Sequence, residues 1–162
     1  MKKISYKGEL GAYSHLACKE AMTDYESVPC RTFEAALNCV REEEADLAMI
    51  PVENSVAGRV ADIHYLLGDY DLKIYAEHFQ EVKHQLLAKK GTPIDEIKFV
   101  RSHSMAIGQC QSAIQRLNLT PIVMADTAGS AKHISEIGTN EDSAIASHLA
   151  AEIYVLEIIK SE

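Results

Sequence analysis

Short apolar runs alternate with segments of helical periodicity along the whole chain. Residues 47–50 form an apolar run that is typical of a strand buried on both faces. From Phe33 onward, apolar residues recur at i, i+3, i+4 and i+7, which predicts a helix, and Thr32 stands in its N-cap position. The same reasoning gives the other elements. Strands are predicted at 3–6, 27–30, 97–100, 121–124 and 143–146, and helices at 14–22, 60–67, from 102, from about 127 and at 148–155.

The order of these elements indicates the fold class. Strands that alternate with helices predict an α/β protein with mainly parallel sheets. Residues 72–88 contain neither Gly nor Pro, so this stretch is predicted to be extended. A long extended stretch near the middle of the chain suggests a strand that crosses between two lobes. We therefore expect residues 1–75 to form lobe 1 and residues 76–162 to form lobe 2.

Composition and charge exclude several classes of function. The 162 residues are 47% hydrophobic and 25% charged, as in soluble globular proteins, and no run is long enough to span a membrane. Lys7 and Glu9 interrupt any apolar stretch behind the N-terminus, so we expect no signal peptide and a cytoplasmic location. The formal charge of −8 argues against a nucleic-acid or acidic-membrane partner. An anionic ligand would therefore depend on local hydrogen-bond donors.

The cysteines and histidines give no sign of a metal site. The four cysteines have no CxxC spacing, and without an export signal we interpret them as free thiols. The histidines show no HxxxH spacing on one helix face, so no metal is expected. The cysteines are Cys18, Cys30, Cys39 and Cys110.

Four loops carry the groups that could bind an anion. In open α/β sheets, ligands bind where the carboxyl ends of strands lead into helix N-termini. Residues 8–15, 53–58, 102–104 and 126–131 occupy such junctions, and each contains a small hydroxyl side chain. Taken singly, each loop is also explained by helix capping, for which Ser, Thr and Asn are preferred.

The order of the four loops and their residue patterns resemble those of the catalytic domain of prephenate dehydratase. The matching motifs are Tyr-x-Gly-x-x-Gly-x-Tyr-Ser-His at 6–15, Ile-Pro-Val-Glu-Asn-Ser-x-x-Gly-x-Val at 50–60, Ser-His at 102–103 with Gln-Cys at 109–110, and Thr-Ala-x-Ser-Ala at 127–131. The resemblance covers essentially the whole chain. One departure is Ser104-Met105, where the family usually has Pro-Gln.

The resemblance implies a fold and a reaction. The fold would be two-lobed, similar to periplasmic binding proteins of the second type, with substrate between the lobes. The reaction would remove water and carbon dioxide from prephenate, giving phenylpyruvate for phenylalanine biosynthesis, without a metal or an organic cofactor. Family members are usually dimers or larger, so we expect a homo-oligomer, most simply a dimer.

Two parts of the family pattern are not among the 162 residues. The family assigns general-acid catalysis to the threonine of a Thr-Arg-Phe motif after the last helix, and it carries a phenylalanine-binding regulatory domain of the ACT kind. We therefore expect this length of chain to be an incomplete domain, less stable than the full one or paired through an exposed sheet edge. Its own turnover stays open.

The resemblance also assigns site residues, of which Ser55 and Thr127 are the catalytic candidates. For each residue a structural alternative exists: a helix cap for the hydroxyls, an Asx turn for Asn54, and loop architecture for His103. Gly58 would serve either a positive φ or a close backbone approach. The expected substrate-binding residues are Ser14, Glu53, Asn54, Ser55, Gly58, Ser102, His103, Thr127 and Ser130.

Other functions compete with a prephenate dehydratase. An arogenate dehydratase would have the same loops. A binding module could keep the cleft for a small carboxylate without turnover. A transport solute-binding protein is disfavoured because no export signal is expected, and an interaction protein without a ligand would leave the four matched loops unexplained.

Overall fold

The computed structural model describes residues 1–161, with side chains at 1–60 and 63–161. Residue 162, the last of the expected second lobe, lies outside the described residues. The chain divides into two compact units. Unit 1 consists of Met1–Glu9 and Tyr13–Gln80, and unit 2 consists of Leu10–Ala12 and the chain from Glu81 onward. Within 1–161, no helix is long and apolar enough to cross a membrane.

Unit 1 contains a three-stranded parallel sheet. Its elements are β1 (Lys3–Lys7), α1 (Tyr13–Ala21), β2 (Glu26–Cys30), α2 (Phe33–Arg41), β3 (Leu47–Met49), β4 (Glu53–Asn54), β5 (Gly58–Arg59) and α3 (Ala61–Asp69). The strand order is β2-β1-β3, and β4 pairs with β5 in a separate antiparallel ribbon. β1 is the central strand, and its residues Ile4, Ser5 and Tyr6 are all buried.

The predicted helix from Phe33 is confirmed as α2. The Thr32 hydroxyl accepts a hydrogen bond from the backbone N–H of Ala35 at 3.0 Å, and the helix buries Ala36 and Leu37. Ser5 Oγ donates to the Ala36 carbonyl at 2.7 Å, so β1 and α2 are joined by a polar contact as well as by apolar packing. The sequence pattern was sufficient here because the cap and the apolar face agree.

Two details of unit 1 differ from the sequence prediction. β3 is only half-buried, because it is an edge strand with β1 as its one neighbour, whereas full burial on both faces was predicted. In α3, Ile63 is buried but His64 is exposed, so His64 does not share the apolar face assigned to it.

Unit 2 contains a five-stranded sheet of order β10-β6-β9-β7-β8. β7 runs parallel to β8 and β9, whereas β6 is antiparallel to β9 and β10. A short 3₁₀ turn, Ile94–Glu96, precedes β7. The elements are β6 (Gln85–Lys89), β7 (Phe99–Ser102), α4 (Ser104–Gln109), α5 (Gln111–Arg116), β8 (Thr120–Val123), α6 (Thr127–Ile137), β9 (Asp142–Ala146), α7 (His148–Ile153) and β10 (Leu156–Ser161).

Helices pack on both faces of the unit 2 sheet and form two apolar cores. Ala106 and Ile114, from α4 and α5, belong to a cluster with Val100 and Ile145. A second cluster joins residues of α6 and α7, such as Ile134 and Ala150, to Leu87, Ala144 and Ala146. β9 is buried along its whole length because it contributes to both cores.

The predicted fold class, an α/β protein with mainly parallel sheets, is confirmed. Several boundaries differ. The helix expected from residue 102 is two helices that break at Cys110, and in the stretch 72–88 only the last part is a strand, β6. The last helix ends at Ile153, because Val155 takes a φ of +55°, and the unpredicted strand β10 follows.

Candidate functional site

Three loops of unit 2 meet at one edge of the sheet. β7, β8 and β9 are parallel, and Ser102 of β7 stands opposite Val123 of β8 in the register. The Met124 N–H donates to the Ser102 carbonyl at 2.8 Å, which holds the ends of β7 and β8 together. The loops after β7, β8 and β9 therefore open at the same carboxyl edge, where ligands of parallel sheets bind.

His103 begins the first of these loops and presents a ring nitrogen. It is the N-cap of α4, and its Nδ1 accepts a hydrogen bond from the Met105 N–H at 3.2 Å. In the neutral ring this assigns the proton to Nε2, which then remains as a hydrogen-bond donor. The ring is half-buried. His103 is thus part of the loop architecture and can also donate to an anion.

Thr127 is the first residue of α6, but it is not the cap. Asp126 caps the helix, and its carboxylate accepts the Gly129 N–H at 2.5 Å. The Thr127 hydroxyl is half-buried and has no hydrogen-bond partner within the described part of the chain. Because Asp126 satisfies the helix end, the Thr127 hydroxyl stays available as a donor.

Two serines assigned to the site by sequence are occupied by structural bonds. Ser102 is fully buried, and its Oγ donates to the Ile145 carbonyl at 2.7 Å. Ser130 is also fully buried, and its Oγ donates to the Asp126 carbonyl at 2.7 Å. The proton of each hydroxyl is thus engaged in a hydrogen bond to a backbone carbonyl. The assignment of Ser102 and Ser130 to substrate binding stays a prediction, in which each hydroxyl already donates to a backbone carbonyl.

The first of the four loops, residues 8–15, which we call the glycine-containing loop, contributes residues 10–12 to unit 2. Ser147, the N-cap of α7, donates its hydroxyl to the Gly11 carbonyl at 2.5 Å, and Tyr154 Oη donates to the Leu10 carbonyl at 2.8 Å. Gly11 has a φ of +89°, and a Cβ built on it would lie 2.8 Å from Ala150 Cα. Only glycine fits this position. Sequence reasoning missed the partners of the loop, because they lie far along the chain.

A buried histidine lies at the same edge of the sheet. His84 precedes β6, whose Gln85 stands opposite Ala146 at the end of β9. His84 Nε2 and Gln109 Oε1 are 2.6 Å apart, and since the amide oxygen only accepts, the imidazole is the donor. The sequence pattern included Gln109 in the Gln-Cys motif but gave no reason to join it to His84.

In unit 1, the loop between β4 and β5 is an Asx turn. Asn54 Oδ1 accepts the N–H groups of Val56 and Ala57, each at 2.9 Å, so the alternative considered for Asn54 is present. This arrangement points the amide oxygen into the loop and leaves Nδ2 as a donor. Ser55 is exposed at the tip of the turn. Gly58 has a φ of +79°, which favours glycine in this turn, and no described protein atom beyond its chain neighbours lies within 4 Å of a Cβ built on it.

The two other assigned residues of unit 1 are accessible. Ser14 is half-buried in the first turn of α1, and Glu53 is exposed in β4, opposite Arg59 of β5. Within the described residues, Ser14, Ser55 and Glu53 have no side-chain hydrogen bond that fixes them, which leaves all three for contact with a ligand.

His15, the last residue of the segment 8–15, packs inside unit 1. Its ring stacks on Tyr6 with centroids 5.1 Å apart. Burial lowers the pKa of His15, and the positive charge of Lys19 lowers it further. His15 is therefore a neutral core group. Within 1–161 no cluster of three or more His, Cys, Asp or Glu side chains could hold a metal ion.

Comparison with known proteins finds relatives of one family that match nearly the whole chain. A family model described as prephenate dehydratase matches residues 4–162. A bifunctional N-acyl-homoserine lactone acylase/prephenate dehydratase of Komagataeibacter europaeus is 44% identical over 157 residues, which are 97% of this chain and 56% of that protein. Arogenate dehydratase/prephenate dehydratase 2 of Arabidopsis thaliana, a chloroplastic protein, is 37% identical over 160 residues, 99% of this chain and 42% of that protein.

A solved structure agrees with the sequence comparison. The crystal structure of prephenate dehydratase from Arthrobacter aurescens in complex with L-Phe matches with a TM-score of 0.89 at 27% identity, covering 98% of this chain and 55% of that one. The chain thus spans about half the length of the relatives that it matches.

Proposed function

The chain belongs to the prephenate dehydratase family, and on that premise we propose that it is a dehydratase domain that converts prephenate to phenylpyruvate with loss of water and carbon dioxide. The observation that carries the proposal is the match of the family model to residues 4–162, which includes all four donor-bearing loops. The expectation that the substrate lies between two lobes, 1–75 and 76–162, stays a prediction.

The chemistry needs few groups from the protein. Prephenate is a dianion whose ring becomes aromatic when the ring carboxylate and the hydroxyl depart, so the ring itself supplies the driving force. The protein must hold two carboxylates and protonate the leaving hydroxyl. Neutral hydrogen-bond donors suit this task in a chain of formal charge −8. They bind the carboxylates and do not depend on a basic cluster.

We assign the donors according to their availability. Thr127 Oγ1 and His103 Nε2 serve as donors at the carboxyl edge of unit 2, and the Asn54 amide and the Ser55 hydroxyl serve in unit 1. Ser14 is a further donor, and Glu53 is a polar contact on the ligand side of its turn. Gly58 supports the turn that presents Asn54 and Ser55. Thr127 and Ser55 are the catalytic candidates within the 162 residues.

The Thr127 hydroxyl gives a direct test of this assignment. Thr127→Val removes the hydroxyl and keeps the shape, so we expect kcat/KM for prephenate to fall by roughly 10- to 100-fold, the value of one hydrogen bond to a charged group. Thr127→Ser should restore most of the activity. Thr120→Val, an exposed change at the opposite end of β8, is the matched control and should have no effect. Equal losses in both valine variants would contradict the role of Thr127.

The activity itself is tested by following phenylpyruvate through its ultraviolet absorbance in alkali. The Thr-Arg-Phe motif is not among the 162 residues, so the assay compares this chain with a longer version that carries the motif. Turnover by the longer version alone supports the family's general acid on that motif. Turnover by both versions supports a general acid among the loops described above. A folded longer version without turnover would reject the proposal and favour a carboxylate-binding module.

Two substrates in addition to prephenate belong in the same assay. Several relatives are arogenate dehydratases by name, so arogenate is the second candidate substrate. The 44% identical relative is also named as an N-acyl-homoserine lactone acylase, which makes such a lactone the third. The ratios of kcat/KM for the three compounds decide between the activities.

A further inference from the structure

Two cysteines of unit 1 are in contact although they are nine residues apart in sequence. Cys30 is the last residue of β2, and Cys39 lies in the last turns of α2. Their Sγ atoms are 3.8 Å apart, and both residues are half-buried. The other two cysteines, Cys18 and Cys110, are buried. All four are free thiols in the structure.

The distance between the two sulfurs suits a disulfide. A disulfide requires an S–S distance of about 2.05 Å, so the sulfurs must approach by roughly 1.8 Å. This approach is short because the end of β2 and the helix α2 already hold the two Sγ atoms 3.8 Å apart. The bond would close a short loop from the end of β2, through the Thr32 cap, to α2.

The surroundings of the pair favour a slow, reversible reaction. Burial raises the pKa of the Cys30 thiol to about 11, and the adjacent Cys39 thiol adds to this effect. At neutral pH the thiolate of Cys30 is therefore scarce, and attack on an oxidant is slow.

We propose that Cys30 and Cys39 form a redox modification site, which closes to an intramolecular disulfide by exchange with a low-molecular-weight disulfide such as oxidised glutathione. In the first step one thiolate of the pair attacks a glutathione sulfur and releases one glutathione thiolate. In the second step the other cysteine attacks the protein sulfur of the mixed disulfide and releases the second glutathione. The protein loses two electrons and two protons, and one oxidised glutathione becomes two reduced ones.

The site touches the first glycine-containing loop. The Cys30 carbonyl accepts the Gly8 N–H at 2.9 Å, and Cys30 stands opposite Lys7 in the parallel register of β1 and β2. Disulfide formation would therefore alter the strand end that holds residue 8. This contact links the redox state of the pair to the loop that leads into α1.

The chain is well suited to a direct test by mass spectrometry. Trypsin cleaves after Lys19, Arg31 and Arg41, so Cys30 and Cys39 fall into separate peptides, 20–31 and 32–41. The folded protein is equilibrated in glutathione buffers of increasing oxidised fraction, quenched with acid and alkylated. It is then digested without reduction. A disulfide appears as a joined pair of these two peptides.

We expect the joined peptides to exceed the singly glutathionylated ones by about tenfold, because the second thiol acts intramolecularly. Cys39→Ser should abolish the joined product, whereas Cys110→Ser, the matched control, should leave it unchanged. Circular dichroism verifies that each protein is folded during the reaction. Joined peptides that involve Cys18 or Cys110, or a link that forms only in urea, would overturn the proposal. So would complete alkylation of Cys30 and Cys39 at every buffer ratio.

Discussion

At the residue scale, Gly11 is constrained in two ways. It combines a positive φ with a contact so close that any side chain would meet the backbone of Ala150. Its carbonyl also accepts the Ser147 hydroxyl. A single atom added here would therefore strain the loop and displace α7. The conformation of this loop depends on the size of one residue.

Gly11→Ala is expected to lower the free energy of unfolding by about 3 kcal/mol, the sum of a strained φ and overpacking. Gly91→Ala is the matched control, since Gly91 also has a positive φ, +76°, but has nothing within 4 Å of the added Cβ. The control should cost about 1 to 2 kcal/mol, the cost of the φ alone. Urea unfolding measures both values. Equal losses would show that contact with Ala150 is unimportant.

His15 gives unit 1 a dependence on pH. Its pKa is lowered in the folded state, first by burial and then by Lys19, so the unfolded state binds the proton more tightly. At pH values above 6.5, the ordinary histidine pKa, His15 is neutral in both states and does not destabilise the fold. As the pH falls below 6.5, the unfolded state binds the proton first, and the folded state loses stability. We expect His15→Gln to flatten this part of the stability curve, whatever its cost at pH 8. The control is His148→Gln, at an exposed position, which should keep the wild-type dependence of stability on pH. The same dependence in His15→Gln would refute the role of His15.

At the scale of elements, one ion pair joins two neighbouring strands of unit 2. Arg101 of β7 and Asp142 of β9 are 2.8 Å apart, with side chains only 18% and 11% exposed. Burial alone would raise the pKa of Asp142, but hydrogen bonds from Thr139 and the charge of Arg101 outweigh it and hold the pKa below its usual value. The carboxylate also accepts the Thr139 N–H at 2.9 Å, which shapes the turn before β9.

Asp142→Asn should lower the free energy of unfolding by about 3 kcal/mol, because it leaves the guanidinium largely buried without its counter-charge. The adjacent exposed pair, Lys98 with Glu141, provides the control, and Glu141→Gln should cost less than about 1 kcal/mol. Because the folded pKa of Asp142 is lowered, its contribution is present above its ordinary pKa and is lost as the pH falls through the folded value. Acid titration of the two variants by circular dichroism tests this assignment, and similar losses from both would reject it.

The elements that the sequence predicted well are those in which local signals agree. α2 had a cap and an apolar face, and the strands of the parallel sheets were apolar runs between turn signals. β10 was missed because residues 156–161 do not alternate strictly between apolar and polar and directly follow a helix. The break at Cys110 was missed because the apolar face continues across it from Ile107 to Ile114.

The candidate site was predictable in its loops but not in the roles of single hydroxyls. Capping and ligand donation require the same residue types at the same positions, so sequence could not separate them. In the structure Asp126 caps α6. The hydroxyls of Ser102 and Ser130 each donate a hydrogen bond to a backbone carbonyl. The pairs His84–Gln109 and Cys30–Cys39 depend on tertiary contact, for which one sequence carries no signal.

At the scale of the whole molecule, charge opposes the proposed substrate. The chain carries a formal charge of −8, and prephenate is a dianion, so long-range repulsion slows their encounter. Added salt screens this repulsion with a Debye length of about 10 Å at 0.1 M, while short hydrogen bonds in the loops are less affected.

We therefore expect kcat/KM for prephenate to rise about two- to fivefold between low ionic strength and 0.1 M. The measurement uses the version of the chain that is active in the dehydratase assay, at constant pH and with two different salts, so that specific ion effects are recognised. A fall in kcat/KM with salt would indicate that cationic side chains dominate substrate binding. Sedimentation at the same ionic strengths tests the expected dimer.

The placement of residues 10–12 in unit 2 has a consequence for biosynthesis. The Gly11 carbonyl is synthesised before the Ser147 hydroxyl that donates to it, which lies 136 residues later in the chain. At about 5 to 20 residues per second, the ribosome needs on the order of ten seconds to deliver that partner. Throughout this interval residues 10–12 have been synthesised without the Ser147 donor, so a chaperone that binds nascent chains would meet this loop in its unassembled form.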